Sequence, residues 1–127
     1  MILIDTDVMV DILREYPHAV KWLRSIRDEE ILLPGFVVME LIQGCKNKTE
    51  QRKIIKTLSF YRIEWPSSET CNNAMKVFAD FHLQYNIGII DVLIGQMAVE
   101  LNLPLCTFNQ KHYSCIPNIS LSKPYKR

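Results

Sequence analysis

Glycine is scarce in this chain, with only 4 among 127 residues, and none falls in a phosphate-binding loop or a G-x-S-x-G turn. The 4 cysteines include no C-x-x-C pair, which gives little support to a zinc site. The 3 histidines show no metal-ligand pairing at helical spacing. Nucleotide-binding loops, serine hydrolase turns and zinc modules are therefore disfavoured.

An excess of charge of either sign is also missing, since 15 basic residues nearly balance 14 acidic ones. A protein that holds nucleic acid by bulk charge is usually more basic, so any nucleic-acid chemistry here must depend on local charge and a bound metal. No apolar run approaches the length that spans a membrane, and acids interrupt the first residues, unlike a signal peptide. We expect one cytoplasmic domain over residues 1–127 with reduced thiols and no membrane contact.

Short apolar runs alternate with helical patterns along the chain. The predicted strands are residues 1–5, 30–33, 61–65 and 105–107, and the predicted helices are residues 18–27, 36–43, 49–60, 68–85 and 90–101. A further helix is predicted from Val8 through Leu13, and it stops before Pro17. This alternation predicts an α/β fold with a mainly parallel sheet, whose sites form at the carboxyl ends of strands. Thr6 or Asp7 is expected to cap the first helix, and the polar tail beyond Ile119 is expected to be loosely held.

Three acidic residues lie within or directly after apolar segments of the chain. Asp5 ends a buried strand, Glu40 lies within the apolar run FVVMELI, and Asp91 begins a helix after Gly88-Ile-Ile. Taken singly, each has an ordinary explanation: a helix cap for Asp5, a solvated side chain for Glu40, and the helix dipole for Asp91. One shared cation would explain all three together.

Carboxylate oxygens are the ligands that Mg²⁺ prefers, and Mg²⁺ keeps several waters when it binds to proteins. Such an ion can orient a phosphate, offset charge on its oxygens and lower the pKa of an attacking water. The three acids are therefore typical of a site that hydrolyses nucleic acid.

The order of four short motifs resembles that of the PIN domain family, and within it the VapC-like toxins of toxin–antitoxin pairs. The matching segments are IDTDV at 4–8, VMEL at 38–41, IDVLI at 90–94 and CTFNQKHY at 106–113. Each motif is weak alone, but the ordered set covers nearly the whole chain. The resemblance implies a three-layer α/β/α fold and an endoribonuclease that uses Mg²⁺ or Mn²⁺. It also implies a homodimer that binds a small antitoxin protein.

The resemblance assigns roles to residues that lie within these motifs. It makes Asp5, Glu40 and Asp91 the catalytic acids that hold the metal, and it makes Thr6 and Thr107 hydroxyl groups that help to order the site.

The last motif departs from the fullest family pattern. Asn109 stands where many members have a fourth catalytic acid, and His112 stands where many have an aspartate. Asp7 could compensate for the lost charge, although helix capping explains it equally well. Lys111 and His112 are placed to touch substrate, whereas Tyr113 is expected to be a packing residue.

Two other functions stay open. A catalytically inactive PIN-fold binding module would also explain Asn109 and His112, as marks of lost activity. A phosphoacceptor signalling domain also uses an aspartate at a strand end, but it needs a closely spaced acidic pair and a lysine after a late strand, which this chain fits poorly.

Overall fold

The computed structural model describes all 127 residues, in which short strands alternate with helices. The strands are β1 (Ile2–Ile4), β2 (Ile31–Pro34), β3 (Arg62–Glu64), β4 (Leu105–Cys106) and β5 (Leu121–Ser122). The helices are α1 (Thr6–Leu13), α2 (Pro17–Ser25), α3 (Gly35–Gln43), α4 (Lys48–Leu58), α5 (Ser68–Tyr85), α6 (Ile89–Leu101) and α7 (Gln110–Tyr113). None of these helices combines the length and the apolar character needed to span a membrane.

The strands form one sheet in the order β3-β2-β1-β4-β5, and every neighbouring pair is parallel. Leu3 in the central strand β1 pairs with Leu32 on one side and with Leu105 on the other. The predicted parallel sheet is therefore confirmed. Because the strands all run in one direction, their carboxyl ends share an edge, where Asp5 follows β1 and Thr107 follows β4.

Both faces of the sheet are covered. Leu3 and Ile4 are each 0% exposed although successive strand residues point to opposite faces, and Leu32 and Leu33 show the same pattern at 2% and 0%. Helices must therefore lie on both sides, which gives the three-layer α/β/α fold that the resemblance implied. One apolar core of 21 buried residues, drawn from both strands and helices, lies beneath the carboxyl edge of the sheet.

The predicted elements occur with ends shifted by a few residues, but α7 and β5 were not predicted. The expectation that the tail beyond Ile119 is loosely held is wrong. β5 covers the outer edge of β4, where the Leu105 N–H donates to Ser120 over 2.9 Å and the Thr107 N–H donates to Ser122 over 3.1 Å. These backbone groups need partners because they would otherwise lie at an open sheet edge, which is why the tail is ordered.

Candidate active site

Asp5 connects three elements at the carboxyl edge of the sheet. It follows β1 with extended backbone angles (φ −79°, ψ 164°) and is itself the N-cap of α1. Its Oδ1 accepts a 2.8 Å hydrogen bond from the Thr6 N–H, and its Oδ2 accepts a 2.8 Å bond from the Thr107 hydroxyl after β4. The prediction that Thr6 or Asp7 caps this helix is therefore wrong: Asp5 performs that task and still faces the site.

The charge on Asp5 has no cationic partner, since no Lys or Arg forms an ion pair with it. Burial raises the pKa of the Asp5 carboxyl to about 7, and the negative charge of Asp7 adds to the effect. The hydrogen bonds from Thr107 and Thr6 oppose this rise, and the charge of Asp91 adds slightly to it. An ionised Asp5 is thus costly in the absence of a cation.

Each of the three predicted acids is held by a different hydroxyl group. The Thr107 hydroxyl binds Asp5, the Thr6 hydroxyl donates to Glu40 Oε1 over 2.8 Å, and the Tyr113 hydroxyl donates to Asp91 Oδ1 over 3.2 Å. Thr6 follows Asp5 directly, so its bond draws the side chain of Glu40 on α3 toward the end of β1. The structure therefore brings these three acids to the same edge of the sheet.

Asp7 faces the segment that follows β4. Its Oδ2 accepts a 3.0 Å bond from the Phe108 N–H and lies 3.4 Å from the Thr107 hydroxyl, while its Oδ1 accepts from the Val8 N–H over 2.7 Å. Burial raises the pKa of Asp7, although these N–H groups and the charge of Arg127 oppose the rise. Asp7 thus adds negative charge next to Asp5 and anchors the loop that carries Thr107.

The remaining predicted residues lie at the rim. The Asn109 N–H donates to the Thr107 hydroxyl oxygen over 3.0 Å, and the Asn109 side-chain nitrogen lies 3.3 Å from His112 Nδ1. Lys111 and His112 are exposed on the short helix α7. We call Asp5, Glu40 and Asp91 the acid cluster. None of these three rim side chains forms a hydrogen bond with it, so the structure does not make them part of the cluster.

Tyr113 is a residue whose place in the site sequence reasoning missed. It was expected to pack, and its ring does so at 0% exposure, but its hydroxyl reaches Asp91. Burial raises the pKa of the Tyr113 hydroxyl, and the charges of Asp5 and Asp91 raise it further, so the group stays a proton donor. The motif CTFNQKHY contains this tyrosine, but nothing in its spacing indicates which way the hydroxyl points.

A second group of residues, which the sequence analysis did not predict to interact, connects the C-terminal end of the chain to α1. The Tyr125 hydroxyl donates to Asp11 over 2.7 Å, and Arg127 donates to both oxygens of Asp11 over 3.1 and 3.0 Å. The guanidinium of Arg127 also lies 4.7 Å from the centre of the Phe108 ring. We call Asp11, Tyr125 and Arg127 the terminal clamp; its Tyr125 and Arg127 side chains both contact the Phe108 ring.

The acid cluster fits a hard divalent cation by its chemistry, because it offers carboxylate oxygens without a paired Lys or Arg. Its geometry is not yet that of a closed metal site: no three His, Cys, Asp or Glu side chains are arranged to hold an ion. One oxygen of Glu40 and one of Asp91 make no hydrogen bond within the protein.

This protein is thus an α/β protein with a parallel sheet. Carboxylates without basic partners lie at the carboxyl edge of that sheet and form a candidate cation site. Residues 2–115 match the family described as PIN domain. The chain therefore belongs to the PIN domain family.

One curated protein and two solved structures are similar to this chain. The chain is 31% identical to ribonuclease VapC10 of Mycobacterium tuberculosis over 115 residues, which cover 89% of this chain and 86% of that protein. It is 25% identical to a chain in the crystal structure of VapBC2 from Rickettsia felis bound to a promoter DNA fragment, with a TM-score of 0.78 and coverage of 96% and 98%. FitAcB from Neisseria gonorrhoeae is similar in fold, at 21% identity, a TM-score of 0.78 and coverage of 98% of each chain.

Proposed function

We propose that this protein is a Mg²⁺-dependent endoribonuclease, the toxin component of a VapBC-type toxin–antitoxin pair. The observation that carries the proposal is the set of Asp5, Glu40 and Asp91, each fixed by a hydroxyl donor and none neutralised by a basic side chain. The 31% identity to ribonuclease VapC10 supports RNA as the substrate. Nucleases of this family generally use a divalent metal, and Mg²⁺, or Mn²⁺ in its place, suits an all-oxygen donor set.

In the proposed reaction water attacks the phosphorus atom of a phosphodiester, the bond from phosphorus to the leaving ribose oxygen breaks, and that oxygen gains a proton. Asp5, Glu40 and Asp91 would hold the cation, while Thr6 and Thr107 keep two of these acids in place. When bound, a divalent cation offsets charge on the phosphate oxygens and lowers the pKa of the attacking water. No covalent link between protein and RNA is needed.

The rim residues have a separate role in this proposal. Lys111 and His112 are exposed next to the acid cluster, where a positive charge attracts the phosphates of an RNA chain. Asn109 is proposed to contact substrate or a water near the cation, and Asp7 to add negative charge to the site. Cleavage of cellular RNA would take place in the cytoplasm, and the four free thiols fit that reducing compartment.

Cleavage of RNA by Asp91→Asn tests the proposal directly. The asparagine keeps the shape and the hydrogen bond from Tyr113 but removes the charge, so we expect cleavage and toxicity to be lost while the circular dichroism spectrum is unchanged. Asp80→Asn, an exposed acid on α5, is the matched control and should cleave like the wild type. If Asp91→Asn cleaves RNA normally, Asp91 is not catalytic; if folded wild-type protein cleaves none with any divalent metal, the inactive binding module is favoured instead.

A groove next to the acids supports the proposed antitoxin contact. It has a volume of about 310 Å³ and runs from Thr6 and Glu40 between α1, α3 and α4. Its apolar part includes Leu13 and Ile54, and Arg14 and Lys53 are among its charged residues. An amphipathic segment of a small antitoxin would fit this surface, and solved relatives of this fold are toxin–antitoxin complexes.

The neighbouring residues Ile54 and Ile55 allow a matched test of this contact. Ile54 lines the groove, whereas Ile55 is 44% exposed and is not among the residues that line it. We expect Ile54→Lys to weaken co-purification with a small protein encoded next to this gene, and Ile55→Lys to leave it unchanged. Equal retention of both variants would place the antitoxin elsewhere.

A homodimer is also proposed. Large apolar side chains on α5 and at the start of α6 are exposed to solvent, with Leu83 at 88%, Ile89 at 64% and Met75 at 63%. Covering such side chains in a second copy would be favourable. Light scattering at micromolar concentration should give the mass of a dimer for the wild type and for Gln84→Lys, and a lower mass for Leu83→Lys. A monomeric mass for the wild type would contradict this proposal.

A further inference from the structure

The side chain of Tyr113 is buried completely, yet it ends in a polar group. Its exposure is 0%, and its hydroxyl lies 3.2 Å from Asp91 Oδ1. A hydroxyl that is withdrawn from water without a hydrogen bond destabilises the folded protein. The acceptor that this hydroxyl finds is a carboxylate of the active site, so its burial is directly coupled to the acid cluster.

The position of the ring is determined by a glycine on α6. Gly95 lies one turn after Asp91, and residues four apart share a face of a helix. A Cβ atom on Gly95 would lie 3.1 Å from Cδ1 of Tyr113 and would overlap the side chain of Ile116. The bare backbone at Gly95 therefore lets the ring lie against α6, with its hydroxyl at Asp91.

The backbone of α7 fixes the other end of this side chain. The Tyr113 N–H donates to the Asn109 carbonyl over 3.4 Å, and the Ile116 N–H donates to the Tyr113 carbonyl over 3.0 Å. The side chain is thus held by its backbone, by the contact of its ring with α6, and by its hydroxyl. A tyrosine held at three points can fix the rotamer of the carboxylate that it binds.

On the basis of the proposed metal-dependent function, we propose that Tyr113 is a positioning residue for the cation site. Its hydroxyl occupies Oδ1 of Asp91 and leaves Oδ2 available, so that the carboxylate is oriented before a cation arrives. This role parallels that of Thr6 toward Glu40 and of Thr107 toward Asp5, but here the donor comes from a helix that sequence periodicity does not reveal. Groups that orient metal ligands commonly change metal affinity or activity by about 10–100-fold when they are removed.

Tyr113→Phe removes only the hydroxyl, and Tyr125→Phe is its matched control. Tyr125 also donates its hydroxyl to a buried aspartate, Asp11, but this pair lies outside the acid cluster. Calorimetric titration of the full-length proteins with Mg²⁺ should show about tenfold weaker binding for Tyr113→Phe and wild-type binding for Tyr125→Phe. Single-turnover RNA cleavage at saturating Mg²⁺ should recover part of the activity of Tyr113→Phe.

A merely structural role for the hydroxyl would lower the melting temperature of both variants and leave Mg²⁺ affinity unchanged. Wild-type affinity in Tyr113→Phe would therefore overturn the inference even if the protein proves to be a ribonuclease. Weaker Mg²⁺ binding in Tyr113→Phe, in a protein that cleaves no RNA, would support the inference and contradict the proposed function. A wild-type protein that binds no divalent cation would overturn both.

A second measurement keeps the Tyr113 hydroxyl in place and therefore covers the case in which Tyr113→Phe does not fold. In protein labelled with fluorotyrosine, Mg²⁺ should shift the fluorine resonance of Tyr113 and leave that of Tyr125 in place. A Tyr113 resonance that does not respond while Mg²⁺ binds would overturn the inference.

Discussion

Asp5 and Asp11 lie at the two ends of the same helix and are buried to nearly the same extent, with exposures of 5% and 8%. Their partners differ. Burial alone would raise the pKa of Asp11, but hydrogen bonds from Arg127 and Tyr125 and the charge of Arg127 outweigh burial and lower it. Asp5 accepts hydrogen bonds from the Thr107 hydroxyl and the Thr6 N–H and has no basic partner, and its pKa is raised to about 7.

Asp11 is an ion-paired acid, whereas Asp5 has the environment that we expect of a ligand for the proposed cation. The terminal clamp supplies Asp11 with a guanidinium group, so its negative charge is already balanced within the protein. Asp5 is close to hydroxyl groups and to the acids Asp7 and Asp91, so no positive charge within the protein balances it. Burial by itself therefore does not distinguish the two acids; they differ in that Asp11 has a basic partner and Asp5 has none.

The largest effect is expected for Asp5→Asn, which removes the unbalanced charge. RNA cleavage should fall by about a hundredfold to a thousandfold, the range for the loss of one electrostatic group in an active site. Stability in EDTA at pH 8 should rise, because a buried charge without a cation disappears. Urea unfolding and a cleavage assay measure the two effects, and a variant that is both active and less stable would contradict the comparison.

Asp11→Asn should have the opposite effects, lowering the stability of the protein and leaving cleavage intact. Losing the ion pair with Arg127 should lower the free energy of unfolding at pH 7 by about 1.5–3 kcal/mol, as for other hydrogen bonds to charged groups. Cleavage by the folded fraction should persist, because Asp11 does not contact the acid cluster. An unchanged urea midpoint together with lost cleavage would contradict this prediction and would make Asp11 a functional acid.

The two acids should also change the free energy of unfolding with pH in opposite directions. Without metal, protonated Asp5 favours the folded state below its ordinary pKa of 3.8, and this contribution is lost as pH rises to about 7. Asp7, whose pKa is also raised, adds to the same slope. The Asp11 contribution is present above its ordinary pKa of 3.8 and is lost as pH falls through its lowered value.

Urea unfolding in EDTA across this pH range measures both slopes. Asp5→Asn should flatten the decline of stability toward pH 7 and keep the acid limb, whereas Asp11→Asn should flatten the acid limb alone. Parallel curves for the two variants would show that the acids do not differ in the way their partners indicate.

Mg²⁺ should stabilise the wild type modestly. A ligand at ten times its dissociation constant adds about 1.4 kcal/mol if it binds only the folded state. The melting temperature of Asp11→Asn should rise with Mg²⁺ by a similar amount, and that of Asp5→Asn should not respond. A response in all three proteins would place the cation away from Asp5.

The smallest effect is expected for Asn109→Asp, which adds a further acid without a basic partner at the rim. One more charge near a divalent ion in a wet site contributes about 1 kcal/mol, or roughly fivefold in affinity. Stability in EDTA should fall slightly because the new acid joins a repulsive cluster. Equal Mg²⁺ affinities by calorimetry would leave Asn109 as a loop residue that binds Thr107 and His112.

Much of the fold could be predicted from the sequence because its strands are buried on both faces and its longer helices are amphipathic. β1, β2 and β4 are continuous apolar runs, and α5 extends over 18 residues, long enough to show a helical period. α7 and β5 have only 4 and 2 residues and show no period at all. They form because β4 and α6 provide partners that local sequence does not reveal.

The same limit applies to the candidate site. The order of the acidic motifs pointed to Asp5, Glu40 and Asp91, but the donors that hold them come from distant parts of the chain. Thr107 lies 102 residues from Asp5, and Tyr113 lies 22 residues from Asp91. Whether a buried acid finds a basic partner or only a hydroxyl depends on such pairings, so the sequence could not show that Asp11 is paired with Arg127 while Asp5 has no basic partner.

The separation of Asp5 from Thr107 has a consequence for how the protein is made. β1 lies between β2 and β4, so a growing chain can pair only one edge of its central strand until β4 has been synthesised. At about 5–20 residues per second, the 102 residues that separate Asp5 from Thr107 take roughly 5–20 seconds to translate. The acid cluster therefore forms late, and a prematurely terminated chain that lacks Thr107 and Tyr113 would leave the ribosome without the hydroxyl groups that hold Asp5 and Asp91.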